Sequence, residues 1–206
     1  MIIQLALDRF SIPEAIEIAS GAEAEVEWIE VGTSLIKEFG VKSIYEIKNR
    51  FPNKTIIADV KTFDNAKYEF ELCFNAGADI ATVMGAAPMV TIETCLEVAK
   101  KYEKKVMIDL LNTGEDNRHT IQHLQDVIVC KHISKDQQEE GDRAVWDQEK
   151  IPSYQQLAVA GGISLTSLPE LNKMNPDVLI VGSAISKAKD PGQAAKEIKE
   201  AWRKLK

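Results

Sequence analysis

The sequence predicts a single (β/α)8 barrel domain over residues 1–206. Eight short apolar runs recur at about 26 residues per unit, each followed by a segment with helical spacing. The runs are rich in β-branched residues and lack polar alternation, the pattern of parallel strands covered on both faces. The turn after the first run, Asp8-Arg9-Phe10-Ser11, carries no glycine fingerprint, which excludes a dinucleotide-binding doubly wound sheet.

The first strand, Ile2 to Leu7, ends in Asp8, and proline at position 13 opens a helix through Ala19. Val26 to Ile29 forms the second strand, closed by Glu30; Val31-Gly32-Thr33 follows, then a helix over Val41 to Arg50. The third strand, Thr55 to Ala58, runs into Asp59-Val60-Lys61-Thr62-Phe63-Asp64, and the next helix, Ala66 to Ala76, stops at Gly77. Ile80 to Met84 is the fourth strand, followed by Gly85-Ala86-Ala87 and a helix over Ile92 to Tyr102. Lys105 to Ile108 is the fifth, ending in Asp109, with a short helix around Thr120 to Leu124 behind it. Val127 to Cys130 is the sixth, closed by His132. The polar segment from Ser134 to Ile151 has weak periodicity, and its first part reads as loop or short helix carrying Lys135 and Asp136. Leu157 to Ala160 is the seventh strand, with Gly161-Gly162 and a helix over Leu165 to Met174 after it. Val178 to Val181 is the eighth, running into Gly182-Ser183, and an amphipathic helix from Gly192 to Leu205 ends the chain.

A formal charge of −7, with Lys and Arg dispersed over helical segments, argues against a nucleic-acid or anionic-membrane surface. Any anionic ligand then needs a local site. Cys73, Cys95 and Cys130 are odd in number and widely spaced, which predicts neither a disulfide framework nor a zinc site and suits a reduced, cytoplasmic protein. No basic leader precedes Ile2, and no apolar run reaches membrane-spanning length.

Strand ends of a barrel converge on one mouth, so Asp8, Glu30, Asp59, Lys61, Asp109 and His132 are expected to face a common pocket. Asp59 and Lys61 lie two apart and share a strand face. Glu30 and Asp59 end neighbouring strands, and two carboxylates without Cys or paired His suit a hard cation such as Mg²⁺. The turns Ala160-Gly161-Gly162-Ile163 and Val181-Gly182-Ser183-Ala184 expose backbone N–H groups after strands seven and eight, where barrels commonly bind phosphate. His119 and His123 lie four apart but have no third ligand, and are assigned to an exposed helical face.

These residues resemble the 3-hexulose-6-phosphate synthase and 3-keto-L-gulonate-6-phosphate decarboxylase group of the orotidine-monophosphate decarboxylase superfamily. The matching elements are Leu5-Ala6-Leu7-Asp8, Ile29-Glu30-Val31-Gly32-Thr33, the Asp-x-Lys-x-x-Asp of Asp59, Lys61 and Asp64, His132 with Asp136-Gln137, and the two glycine turns. The resemblance implies that Glu30 and Asp59 bind Mg²⁺ and that Lys61 stabilises an enediolate. It implies that Asp8 and Asp109 hold substrate hydroxyls or orient the site, and that Gly162, Gly182 and Ser183 hold phosphate. It further implies a homodimer in which Asp64 reaches the partner's site.

Ala160-Gly161-Gly162-Ile163, Asp109 and Met84-Gly85-Ala86 resemble the synthases, which join formaldehyde to D-ribulose 5-phosphate. His132 would then be the general base at C1. His132-Ile133-Ser134-Lys135-Asp136-Gln137 resembles the decarboxylase pattern instead, with Lys135 where an arginine would assist proton delivery. Asp64-Asn65-Ala66-Lys67 departs from both, which usually place glycine after the aspartate and small residues beyond it. That departure is what suggests a third reading, a sugar-phosphate-binding protein without turnover.

Overall fold

In the computed structural model, which describes residues 1–140, 146 and 150–206, β1 (Ile2–Leu7) pairs in parallel with both β2 (Trp28–Val31) and β8 (Val178–Val181). The ring is completed by β3 (Thr55–Thr62), β4 (Ile80–Met84), β5 (Lys105–Asp109), β6 (Ile128–His132) and β7 (Gln156–Ala160). The sheet is a closed barrel in sequence order, β1 to β8, as the sequence predicts. Successive side chains alternate between two apolar environments. Ile57, Ile80, Met107, Ile128, Cys130, Ala158, Val178 and Ile180 pack together inside the barrel. Ile3, Leu5, Leu7, Ile29, Val31, Ile56 and Val129 belong to the larger core beneath the helices. This two-sided burial is why the strands show no polar alternation.

Each strand hands over to helix: α1 (Ile12–Ala22), α2 (Thr33–Phe39), α3 (Lys42–Arg50), α4 (Ala66–Asn75), α5 (Met89–Lys101), α6 (Glu115–Ile121), α7 (Lys135–Glu139), α8 (Leu168–Asn172), α9 (Ser183–Ser186) and α10 (Pro191–Arg203). α1 begins at a capping box in which the Ser11 hydroxyl accepts from the Glu14 N–H and the Glu14 carboxylate accepts from the Ser11 N–H.

Several boundaries differ from the sequence reading. α2 was not expected; its N-terminus is satisfied from outside, by Asp8 accepting the Ser34 N–H at 3.1 Å, and Gly40 at φ 64° separates it from α3. α9 is a single turn directly after β8. α6 starts at Glu115, ahead of the expected Thr120, and α8 is shorter than Leu165 to Met174. β3 runs on to Thr62 with a register shift against β4, Ala58 facing Ala81 and Thr62 facing Val83, and Lys61 adopts φ 51°. The first part of the polar segment, which reads as loop or short helix, forms α7; residues 141–145 and 147–149 of that segment lie outside the described residues.

Candidate active site

The C-terminal ends of the strands enclose a cavity of about 580 Å³. Asp8, Glu30, Asp59, Lys61, Asp109, His132, Lys135, Gly162, Gly182 and Ser183 all line it. Asp64 does not; it is exposed after β3, and its carboxylate accepts the Asn65 N–H at 2.7 Å. His119 and His123 sit exposed on and just beyond α6, as expected, with their rings edge to face.

The bulge in β3 brings Lys61 back over its own strand. Its Nζ donates to both oxygens of Asp59 at 2.9 Å and to Oδ2 of Asp109 at 3.1 Å. Asp59 is 7% exposed and also accepts from the hydroxyls of Thr33 at 2.7 Å and Thr82 at 2.9 Å. Asp109 accepts the Leu111 N–H on Oδ1, while its Oδ2 lies 2.8 Å from Nδ1 of His132. Burial works to raise the Asp109 pKa, but the hydrogen bond and charge of His132, with Lys61 and the Leu111 N–H, outweigh it and hold the carboxyl at about 2. An ionised Asp109 can only accept, so Nδ1 of His132 is the donor and Nε2 is the nitrogen left for chemistry. Burial opposes the charge on Lys61, yet Asp59 and Asp109 dominate and raise its pKa above the ordinary lysine value. Lys61 is therefore an ammonium at neutral pH.

Glu30 lies beside this network and is 6% exposed. Burial, followed by the charges of Asp59 and Asp8, pushes its pKa up to about 8, against the pull of Lys61 and a hydrogen bond from the Gln4 amide. Among the described residues no group of three or more His, Cys, Asp or Glu side chains is placed to hold a metal. Glu30 and Asp59 nevertheless make a two-carboxylate set of hard oxygens, which suits Mg²⁺ completed by water and substrate oxygens. Burial first, and then the charges of Asp59 and Asp8, make the ionised form of Glu30 costly, and a cation there would offset that cost. The donor set fits the ion.

On the opposite rim, Gly161 and Gly162 have φ of 93° and 65°. An added Cβ on Gly161 would come within 2.3 Å of the Ile133 carbonyl, so the close approach of the two turns requires glycine. The Gly162 N–H donates to Oε1 of Gln138 on α7 at 2.9 Å. Arg9 reaches across to Glu139 of the same helix at 3.1 Å. The side chain of Lys187, also on the cavity wall, has no hydrogen-bond or ion-pair partner among the described residues.

Gln4, Thr33, Thr82 and Gln138 were not singled out from sequence. Thr82 and Gln4 occupy inward positions of β4 and β1, which the two-residue period marks, but a neutral side chain there carries no sequence signal of chemistry. Thr33 and Gln138 lie off the strands and left no such signal.

The family described as Orotidine 5'-phosphate decarboxylase / HUMPS matches residues 1–198. The chain is 37% identical over 205 residues to the 3-hexulose-6-phosphate synthase of Bacillus subtilis, covering 97% of this chain and 98% of that protein. A crystal structure of 3-hexulose-6-phosphate synthase from Salmonella typhimurium superposes with TM-score 0.89 at 32% identity, covering 100% of both chains. The 3-keto-L-gulonate-6-phosphate decarboxylase of Vibrio cholerae shares the fold, with TM-score 0.83 at 24% identity over 100% of this chain and 98% of that one. By its closed barrel, its strand-end carboxylates, lysine and histidine, and these full-length matches, the chain is an enzyme of the Orotidine 5'-phosphate decarboxylase / HUMPS family.

Proposed function

We propose that this enzyme is a Mg²⁺-dependent 3-hexulose-6-phosphate synthase, joining formaldehyde to D-ribulose 5-phosphate to give D-arabino-hex-3-ulose 6-phosphate. The observation that carries the reading is the hydrogen-bonded series from Asp59 through Lys61 and Asp109 to His132, in a chain whose relatives of that name match end to end. It sets an ammonium and an imidazole on one carboxylate, the pair that proton abstraction next to a carbonyl needs.

The phosphate would sit at the turns of Gly162, Gly182 and Ser183, across the cavity from the carboxylates. Glu30 and Asp59 would hold Mg²⁺, which when bound supplies positive charge that makes the carbon acid beside the carbonyl more acidic. Nε2 of His132 takes the C1 proton, and the Lys61 ammonium stabilises the enediolate charge. The enediolate carbon then forms the new bond to the formaldehyde carbon, and the formaldehyde oxygen takes the proton that His132 removed from C1. Asp109 acts through the other two: both its oxygens are committed, so it fixes Lys61 and the His132 tautomer rather than gripping a substrate hydroxyl. Asp8 has one oxygen taken by Ser34 and the other available to substrate.

Decarboxylation of 3-keto-L-gulonate 6-phosphate would use the same enediolate, and Lys135 on the cavity wall near His132 keeps that reading in play. Residue identity favours the synthase, at 37% and 32% against 24%.

A homodimer belongs to the proposal. Asp64 lies outside its own chain's cavity, and large apolar side chains are exposed close to it along the chain: Phe63 and Tyr68 are each more than half exposed, and Leu72 lies one turn along α4 from Tyr68. The three free cysteines are buried, in keeping with a reducing, cytoplasmic setting.

The deciding experiment assays the purified protein in parallel for formaldehyde loss with ribulose 5-phosphate and for CO₂ release from 3-keto-L-gulonate 6-phosphate, each with Mg²⁺ and with EDTA. Formaldehyde loss that EDTA abolishes is the expected result. Dominant CO₂ release would overturn the synthase assignment.

A further inference from the structure

The interior of the barrel below the carboxylates is lined by apolar side chains, among them Ile57, Ile80, Met107, Ile128 and Val178. Gln4 projects into this apolar space from β1 and is wholly shielded from water. A primary amide offers two donors and a carbonyl acceptor, and burial makes each unused one costly. Among the described residues the Gln4 side chain makes one hydrogen bond, from Nε2 to Oε2 of Glu30, and its Oε1 has no partner. An apolar side chain of the same volume would fill the position without that orphaned carbonyl. The amide is therefore placed for what it does to Glu30.

Gln4 is the one hydrogen-bond partner of the Glu30 side chain among the described residues, whereas the Asp59 side chain is fixed by Thr33, Thr82 and Lys61. Glu30 has three rotatable side-chain bonds and faces repulsion from both Asp59 and Asp8. With no donor holding Oε2, the carboxylate would swing away from Asp59. We propose that Gln4 is a positioning residue that ties one oxygen of Glu30 to the barrel floor and thereby presents the other to a divalent cation shared with Asp59. This rests on the assignment of Glu30 and Asp59 as the Mg²⁺ ligands, and it adds an outer support to that pair.

The test compares wild type, Gln4→Met, which conserves volume without a donor, and Glu30→Gln. Mn²⁺ serves as the probe, its free concentration read by electron paramagnetic resonance in the absence of substrate, with circular dichroism and thermal melting to confirm the fold. Gln4→Met is expected to weaken Mn²⁺ binding by roughly 10–100-fold with a melting temperature equal to or above that of wild type. Saturating Mg²⁺ should return most of its kcat, which a general loss of structure would not allow. Gln4→Leu supplies the same comparison if methionine disturbs the layer. Wild-type binding with unchanged affinity in the Gln4 variants removes the role of Gln4 alone. A wild type that binds no Mn²⁺, or a Glu30→Gln variant that binds it as wild type does, removes the ligand assignment and the role of Gln4 together.

Discussion

Oδ2 of Asp109 is shared by Lys61 at 3.1 Å and Nδ1 of His132 at 2.8 Å, so one side chain governs two others. Asp109→Asn replaces an acceptor with an amide and releases the His132 tautomer; kcat is expected to fall by about 10²–10⁴. His132→Ala should lose a similar factor with its fold intact, and undiminished turnover would remove His132 from the mechanism. The carboxyl also has a signature in stability. Its folded value of about 2 lies below the unfolded value of ~3.9. Its contribution, roughly 2–3 kcal/mol, is thus fully present above the unfolded value and is lost as pH falls through the folded one. Urea titrations between pH 5 and pH 2 should show wild type losing more stability than Asp109→Asn; parallel curves would contradict this. Charge at strand ends was legible in the sequence, and it located Asp8, Glu30, Asp59, Lys61, Asp109 and His132 together. Their division of labour was not, because it depends on which oxygens are already taken.

At the scale of the element, β3 and the turn after β7 show how local geometry aims side chains. The two-residue period placed Asp59 and Lys61 on one face, and they do meet, but through a bulge in which Ala58 to Thr62 spans only Ala81 to Val83 of β4. A bulge is a tertiary accommodation between neighbours, and no residue type in Asp59-Val60-Lys61 announces it. α2 was hidden for a related reason: its cap is Asp8, 26 residues away from Ser34. The turn of Gly161 and Gly162, by contrast, could be read directly, since a positive φ demands a residue type. Gly161→Ala would set a methyl against the Ile133 carbonyl at an unfavourable φ, and should cost at least ~2 kcal/mol in chemical denaturation. Wild-type stability in that variant would show that the turn relaxes freely.

For the molecule as a whole, the count and order of eight strand-helix units specified the barrel, while the apolar side chains left on its outside carry no such mark in the sequence. Phe63, Tyr68, Leu72 and Val90 look like core residues until the fold places them outside. If they meet a second copy, Tyr68→Glu should give monomers in light scattering and lose most activity; a stable, active dimer would refute that surface. Mixing Asp64→Ala with Lys61→Ala subunits should restore about a quarter of wild-type activity, since random pairing makes half the dimers mixed, each with one complete site. Closure of the ring through Ile2 and Val178 has a consequence for how the protein is made. The first strand leaves the ribosome about 175 residues before its last partner, roughly 10–35 s at ~5–20 residues per second. Throughout that interval the nascent chain carries unpaired strand edges that the mature molecule entirely lacks. Ribosome-stalled chains ending before β8 should accordingly be protease-sensitive and dependent on chaperones, however stable the finished enzyme is.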